Sequence, residues 1–205
     1  MAQMGRPRSF DRDHAVEQAM LLFWEHGYEA TSLSQLKASM GGISAPSFYA
    51  AFGSKEVLFR EAVARYLASH GQVTECLWDA ELPPRQAIET ALRRSARMQC
   101  AAGHPKGCMV SLGVMSAPSA EYATVAAPLT ASRERTRAGL LQCVERGVAS
   151  GELREATHAQ VLATVFDSFL LGLSTLARDG VTCEQIDAAI GQVMCVWDSA
   201  SQPPL

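Results

Sequence analysis

Two groups of residues in this 205-residue chain have types and spacings that could do chemistry. The first lies in Ser44-Ala45-Pro46-Ser47-Phe48-Tyr49-Ala50-Ala51-Phe52. On a helix, Phe48 and Phe52 are four apart and share the face turned to a core, which leaves Ser44, Ala45, Ser47 and Tyr49 outward. Hydroxyls at 44 and 47 can bond phosphate or a base edge, Ala45 or Ala50 can touch a thymine methyl, and the Tyr49 hydroxyl suits a phosphate. Lys55 follows Ser54 in the first turn of the next helix, where free N–H groups and the helix dipole already favour an anion. A cation gains little there from its own helix, so its placement points to an external negative partner. Gly5-Arg6-Pro7-Arg8 is a short, stiffened basic arm of the kind that enters a minor groove, and Arg6 and Arg8 join the set on that ground.

The second group is His104-Pro105-Lys106-Gly107-Cys108. A thiol near a lysine and a histidine can have a lowered pKa, sense oxidants or electrophiles, or bind a soft metal. The plainer reading is a loop whose glycine starts a helix and whose cysteine is buried. No second catalytic pair accompanies it. The five histidines show no ligand spacing, and Cys76, Cys100, Cys108, Cys143, Cys183 and Cys195 form no Cys-x-x-Cys pair. No enzyme, metal or cofactor is therefore expected.

With 48% hydrophobic and 19% charged residues the chain can bury a core, so disorder is excluded as its main state. The net charge of −3 excludes a generally basic coat, although residues 1 to 70 balance seven Lys and Arg against seven Asp and Glu and leave the deficit to the rest. The most apolar stretch, Ala159 to Ala177, is interrupted by Asp167, where a membrane span needs roughly 20 mostly apolar residues. The first ten residues lead into Asp11-Arg12-Asp13 rather than an apolar run, so no signal peptide is expected. A cytoplasmic location without membrane contact follows as the expectation.

The elements that must position the first group are helical. Residues 11 to 26 form a helix capped by Asp11 and stopped by Gly27. Ser32 with Gln35 makes a capping box for a short helix, 33 to 40. Gly41-Gly42 turns the chain, Ser44 caps a third helix near 45 to 51, and Ser54 caps a long fourth running from Lys55 to about Leu77. Beyond Pro83-Pro84, helices are expected at 85 to 102, 107 to 116, 119 to 149, 157 to 180 and 182 to 197, the last with a Thr182-Gln185 capping box. No segment alternates with period two, so the fold class is all-α with about nine helices.

Three short helices with a tight glycine turn between the second and third have the spacing of a helix-turn-helix, over about 32 to 52. Gly27-Tyr28-Glu29-Ala30-Thr31-Ser32, Ser47-Phe48-Tyr49-Ala50-Ala51-Phe52 and Ser54-Lys55-Glu56-Val57-Leu58-Phe59 together resemble the N-terminal domain of TetR/AcrR-type transcriptional regulators, over roughly residues 9 to 69. The resemblance implies a DNA-binding domain there and a 70 to 205 domain that binds a small effector and dimerises through its last two helices. It implies a repressor of a double-stranded operator, and DNA contacts at Thr31, Ser32, Ser44, Ala45, Ser47, Tyr49 and Lys55. One departure concerns the turn. Where the family usually has a single glycine before the apolar residue, Gly41-Gly42-Ile43 holds one residue more, which both glycines are expected to absorb at positive φ.

The helix at 157 to 180 is apolar nearly all round. Ile186, Ile190, Val193, Met194 and Trp197 offer a stripe on the next, and two such helices per subunit would make a four-helix homodimer interface. A pocket between helices of this half has Trp78, Met98, Met109, Met115, Phe166 and Phe169 as candidate walls. Few charges fall inside these helices, with Arg97, Asp167 and His104 as the exceptions, so an apolar or weakly polar effector is expected. The rival reading is a thiol-based redox sensor or enzyme centred on Cys108.

Overall fold

The computed structural model describes residues 10–115 and 120–201. Among them are nine α-helices: α1 Arg12–Ala30, α2 Leu33–Ser39, α3 Ala45–Phe52, α4 Lys55–Ala68, α5 Pro84–Cys100, α6 Met109–Met115, α7 Ala120–Ala149, α8 Ala159–Arg178 and α9 Cys183–Ala200. The chain is all-α, with an N-terminal helix-turn-helix domain followed by a helical one.

Local chemistry sets the helix starts. Asp11 accepts from His14 N, Ser44 from Ser47 N and Ser54 from Val57 N, and Ser32 and Thr182 each complete a capping box with Gln35 and Gln185. Each cap satisfies an N–H the helix leaves open. The run expected from Lys55 to Leu77 instead breaks at Ser69. The Ser69 hydroxyl donates to Arg65 O at 2.8 Å, and its backbone leaves the helical region at φ −121°. A 3-10 segment, His70–Trp78, carries the chain on in tighter turns.

Two cores result. The first gathers Phe23, Trp24, Leu36, Phe48, Phe52, Leu58, Phe59 and Tyr66, and also Met109, Val110, Val125 and Leu129 from α6 and α7. Residues beyond 69 thus complete the N-terminal core. The second gathers Leu77, Ile88, Leu92, Leu140, Val144, Phe166, Leu173, Ile190 and Trp197. Burial of this apolar surface is the main favourable term holding each half together.

Helix α8, with 20 residues and a mean hydropathy of 1.5, is by length and composition apolar enough to cross a membrane, so the expected exclusion by length is corrected. Packing accounts for that character: Leu162, Phe166, Leu170 and Leu173 face the core, and Asp167 Oδ2 accepts from Arg137 Nε at 3.0 Å. The stripe expected on α9 is corrected too. Ile186, Ile190, Met194 and Trp197 pack inside their own subunit, and the apolar side chains left open are Val161, Val165 and Leu176 of α8 and Val196 of α9.

Candidate nucleic-acid interface

The turn that aims α3 is built from Met40, Gly41 and Gly42. Gly41 N donates to Ala38 O and Gly42 N to Lys37 O, with both glycines at positive φ (81° and 78°) and open space where a Cβ would stand. The extra residue is therefore absorbed without a clash.

Along α3, Phe48 and Phe52 are fully buried, while Ser44, Ala45, Pro46, Ser47 and Ala50 are exposed and Tyr49 is 49% exposed. Ser44 Oγ accepts from Ser47 N at 3.2 Å and lies 2.8 Å from Ser47 Oγ, so the two hydroxyls cap the helix and bond each other while staying open to solvent. Phe10 sits edge-on to Phe52 of α3 at 5.9 Å. Arg6 and Arg8 themselves lie outside the described residues.

Thr31 departs from its expected place. Its side chain is fully buried and its hydroxyl donates to Gly27 O at 2.6 Å, bracing the bend at the end of α1 instead of facing outward. Ser32 is exposed at the start of α2, its hydroxyl engaged with Gln35 Oε1 at 2.8 Å. Lys55 is not a free cation: its Nζ lies 4.4 Å from the centroid of the Tyr28 ring, and burial lowers its pKa against an opposing pull from Glu29.

Ion pairing sorts the remaining charges. Arg12 pairs with Glu61, Arg60 with Glu56, and Arg65 with Asp13 and Glu17. Among the described residues up to 69, Lys37 and Lys55 are the cations without an ion pair. Lys37, whose carbonyl anchors the glycine turn, was not singled out from sequence. Its signal would have been a lysine in the last turn of α2 with no acidic residue three or four positions away.

The interface is wired to the second half through Trp24. Its ring stacks on His104 at 4.5 Å and meets Tyr66 and His70 edge-on, its Nε1 donates to Gly107 O at 3.2 Å, and its carbonyl accepts from Arg178 Nη2 at 3.0 Å. This commits two members of the expected thiol group elsewhere. His104 stacks on Trp24, and Lys106 Nζ donates to the carbonyls of Cys100 and Ala101, closing the end of α5. Cys108 Sγ accepts from the Tyr66 hydroxyl at 3.2 Å, and burial drives the Tyr66 pKa upward.

The same junction carries a pH dependence. Burial, with His104 adding to it and Glu17 opposing, lowers the pKa of His70, which also meets the Ser69 hydroxyl at Nδ1. The unfolded chain, with a histidine near 6.5, then binds more protons than the native state. Stability is full above that pH and is lost as pH falls through it towards the folded value. Between pH 7.5 and 5.5 the melting temperature is expected to fall, and to fall less in His70→Gln; equal falls in scanning fluorimetry would remove His70 as the cause.

A cavity of about 50 Å³ adjoins Cys108 and Tyr66, lined also by Val73, Ser95, Met98, Gln99, Val110, Ser111, Ser132, Arg133, Thr136, Asp167, Leu170 and Leu171. Of the expected pocket residues it takes Met98. Trp78 lies under Arg135, Met109 belongs to the first core, Phe166 packs by Trp197, and Phe169 is partly buried against the second core. The Met115 side chain lies outside the described residues. Arg133 and Asp167 both line the cavity, so its wall carries charged groups beside the apolar ones. Arg133 Nε is shielded from solvent and, alone among such side-chain atoms of the described residues, has no hydrogen-bond partner. Leaving a buried donor unmade costs about 1–3 kcal/mol, more when charged.

A capped three-helix unit with an exposed, hydroxyl-bearing third helix, set on a larger helical domain, defines the class of helix-turn-helix DNA-binding proteins. The model of the family "Bacterial regulatory proteins, tetR family" matches residues 15–62. The transcriptional repressor ComR of Escherichia coli K12 is 33% identical over 196 residues, covering 94% of this chain and 91% of that protein. BdcR, a repressor of the same organism, is 30% identical and covers 90% and 87%. A cysteine-substituted form of the TetR family regulator CifR, solved in complex with a 26-bp operator, is 38% identical, covers 94% of this chain and all of that one, and superposes with a TM-score of 0.83. The chain belongs to the tetR family of transcriptional regulators.

Proposed function

We propose that this chain is a cytoplasmic, homodimeric repressor that grips an operator with the exposed edge of α3 and releases it when a small molecule enters the cavity beside Tyr66 and Cys108. The observation that carries the DNA half is the sidedness of α3: aromatic side chains hold one edge in the core, and Ser44, Ala45, Ser47 and Tyr49 present the other. Ser32, Lys37 and Lys55 flank that edge as phosphate contacts, with Arg6 and Arg8 reaching the minor groove. Thr31 acts only by holding the bend.

The dimer rests on Val161, Val165, Leu176 and Val196, an apolar stripe that one subunit leaves uncovered. Two copies joined there would set two α3 helices on successive major-groove faces about 34 Å apart. Release works through the junction, because the cavity wall includes Tyr66 of α4 and Val110 of α6, both members of the core that carries α3.

DNA flanking the coding region is the test substrate, titrated over several salt concentrations. Saturable, sequence-selective binding that weakens with salt is expected, and its absence overturns the reading. Tyr49→Phe and Lys37→Ala should weaken binding alike on all sequences. Lys37→Ala should also flatten the slope of log affinity against log salt by about 0.9, the value for one lost phosphate contact. Ser47→Ala should shift base preference instead; the reverse pattern would show that contacts and readout are wrongly divided.

A second reading, a thiol sensor centred on Cys108, is favoured by one observation: its sulfur lines the cavity and is held by Tyr66. Iodoacetamide should then release the operator from the parent and not from Cys108→Ser.

A further inference from the structure

We propose that the cavity is a site for a short-chain organic acid, held by its carboxylate on Arg133. This deepens the effector reading above and rests on it only for the consequence at DNA, not for the binding.

Charge decides the ligand's sign. Of the two ionised groups on the wall, Asp167 is already neutralised by Arg137 at 3.0 Å, whereas Arg133 has no ion pair among the described residues, and its Nε, sealed from bulk water, has no hydrogen-bond partner among them. The wall therefore presents one positive charge with no acidic partner among the described residues, for which a carboxylate is the matching group: a planar acceptor pair for the planar donor fork of a guanidinium. A phosphate dianion would exceed the single charge on offer. Size decides the rest. The void is small, with about 50 Å³ open to the centre of a water-sized sphere, which suits a carboxylate on a short tail and not a large ligand. Val110 and Leu170 supply the apolar surface such a tail needs, and Ser95 and Thr136 offer hydroxyls to a second polar substituent.

The test uses the full chain in calorimetric titrations at fixed ionic strength. Sodium propionate and sodium butyrate are compared with propionamide and butyramide, which match them in shape without the charge, and with sodium phosphate. At least one carboxylate is expected to bind saturably, at least tenfold tighter than its amide and than phosphate. Arg133→Gln should weaken it at least tenfold, and Arg133→Lys should recover part of that loss. Circular dichroism melting checks that each variant is folded; should neither fold, the acid-against-amide comparison on the parent still decides. Equal binding of acid and amide, binding of phosphate as tight as carboxylate, no saturable binding by either acid, or a folded Arg133→Gln that binds as the parent does would each overturn the proposal. Gel-shift titration of the protein–DNA complex with the same acids separates the two readings. An acid that binds through Arg133 but leaves the operator complex intact sinks the effector reading and keeps the site, and release by the neutral amide alone does the opposite.

Discussion

Gly107→Ala is expected to lower the melting temperature by about 10 °C and to uncouple the two halves of the molecule. A Cβ at this position would stand 2.7 Å from Leu112 Cδ1 and 2.9 Å from the carbonyl oxygen of Ser174, and the second neighbour is backbone that cannot rotate away. The residue also sits at φ +83°, where a side chain costs about 1–2 kcal/mol. With about 1–3 kcal/mol for overpacking, the loss is about 2–5 kcal/mol, at about 2–4 °C per kcal/mol for a chain of this size. Moving Gly107 also displaces two hydrogen bonds, Trp24 Nε1 to its carbonyl and its own N–H to Gln99 O, so tryptophan fluorescence should change along with stability. Gly151→Ala is the control. Its φ is +79° but nothing lies within 4 Å of its Cβ, so only the conformational part should be lost. Equal losses at the two positions would show that the contact with Ser174 contributes nothing.

The second large effect concerns assembly. Val161 is 58% exposed and Val165 37% exposed on α8. The double substitution Val161→Glu and Val165→Glu puts two charges on each subunit's stripe, where they would face their copies across a two-fold axis. The free subunit loses little, since neither side chain belongs to its core and surface changes usually stay within about 0.5 kcal/mol. Sedimentation should show a folded monomer in place of a dimer, and operator affinity should fall by about 100-fold or more, because the second half-site is no longer reached by a tethered partner. A variant that sediments as the parent does would place the interface elsewhere.

The difference between these two sites and α3 also marks how far sequence reading reaches. Capping residues declared the helix starts: Asp11, Ser32, Ser44, Ser54 and Thr182 each stand where a helix begins, because a cap acts on N–H groups two or three residues away. The sidedness of α3 was legible for the same reason, since Phe48 and Phe52 are one turn apart. The break at Ser69 was missed because its hydroxyl competes with the helix only once the preceding carbonyls are in place. Thr31 was misplaced because its outward-looking neighbour Ser32 says nothing about the bend at Gly27 that turns Thr31 inward.

The charged run from Arg133 to Arg137 shows the limit most clearly. By itself it reads as a solvated helix face, three arginines at spacing two, and nothing in it separates one from another. In the fold Arg135 lies over Trp78 and pairs with Glu75, Arg137 reaches Asp167, and Arg133 lines the cavity with a buried Nε that has no partner among the described residues. Periodicity, caps and turn residues act over a few residues, so the amino-acid order by itself determined the helices, the glycine turn and the exposed edge of α3. The cavity, its sign of charge and the Trp24 junction depend on side chains brought together from 30 to 154 positions apart, and the α8 stripe is uncovered only because the rest of the fold packs elsewhere. Only tertiary packing decides which of many similar side chains meet, because burial and pairing are properties of a place in the fold and not of a residue in a string.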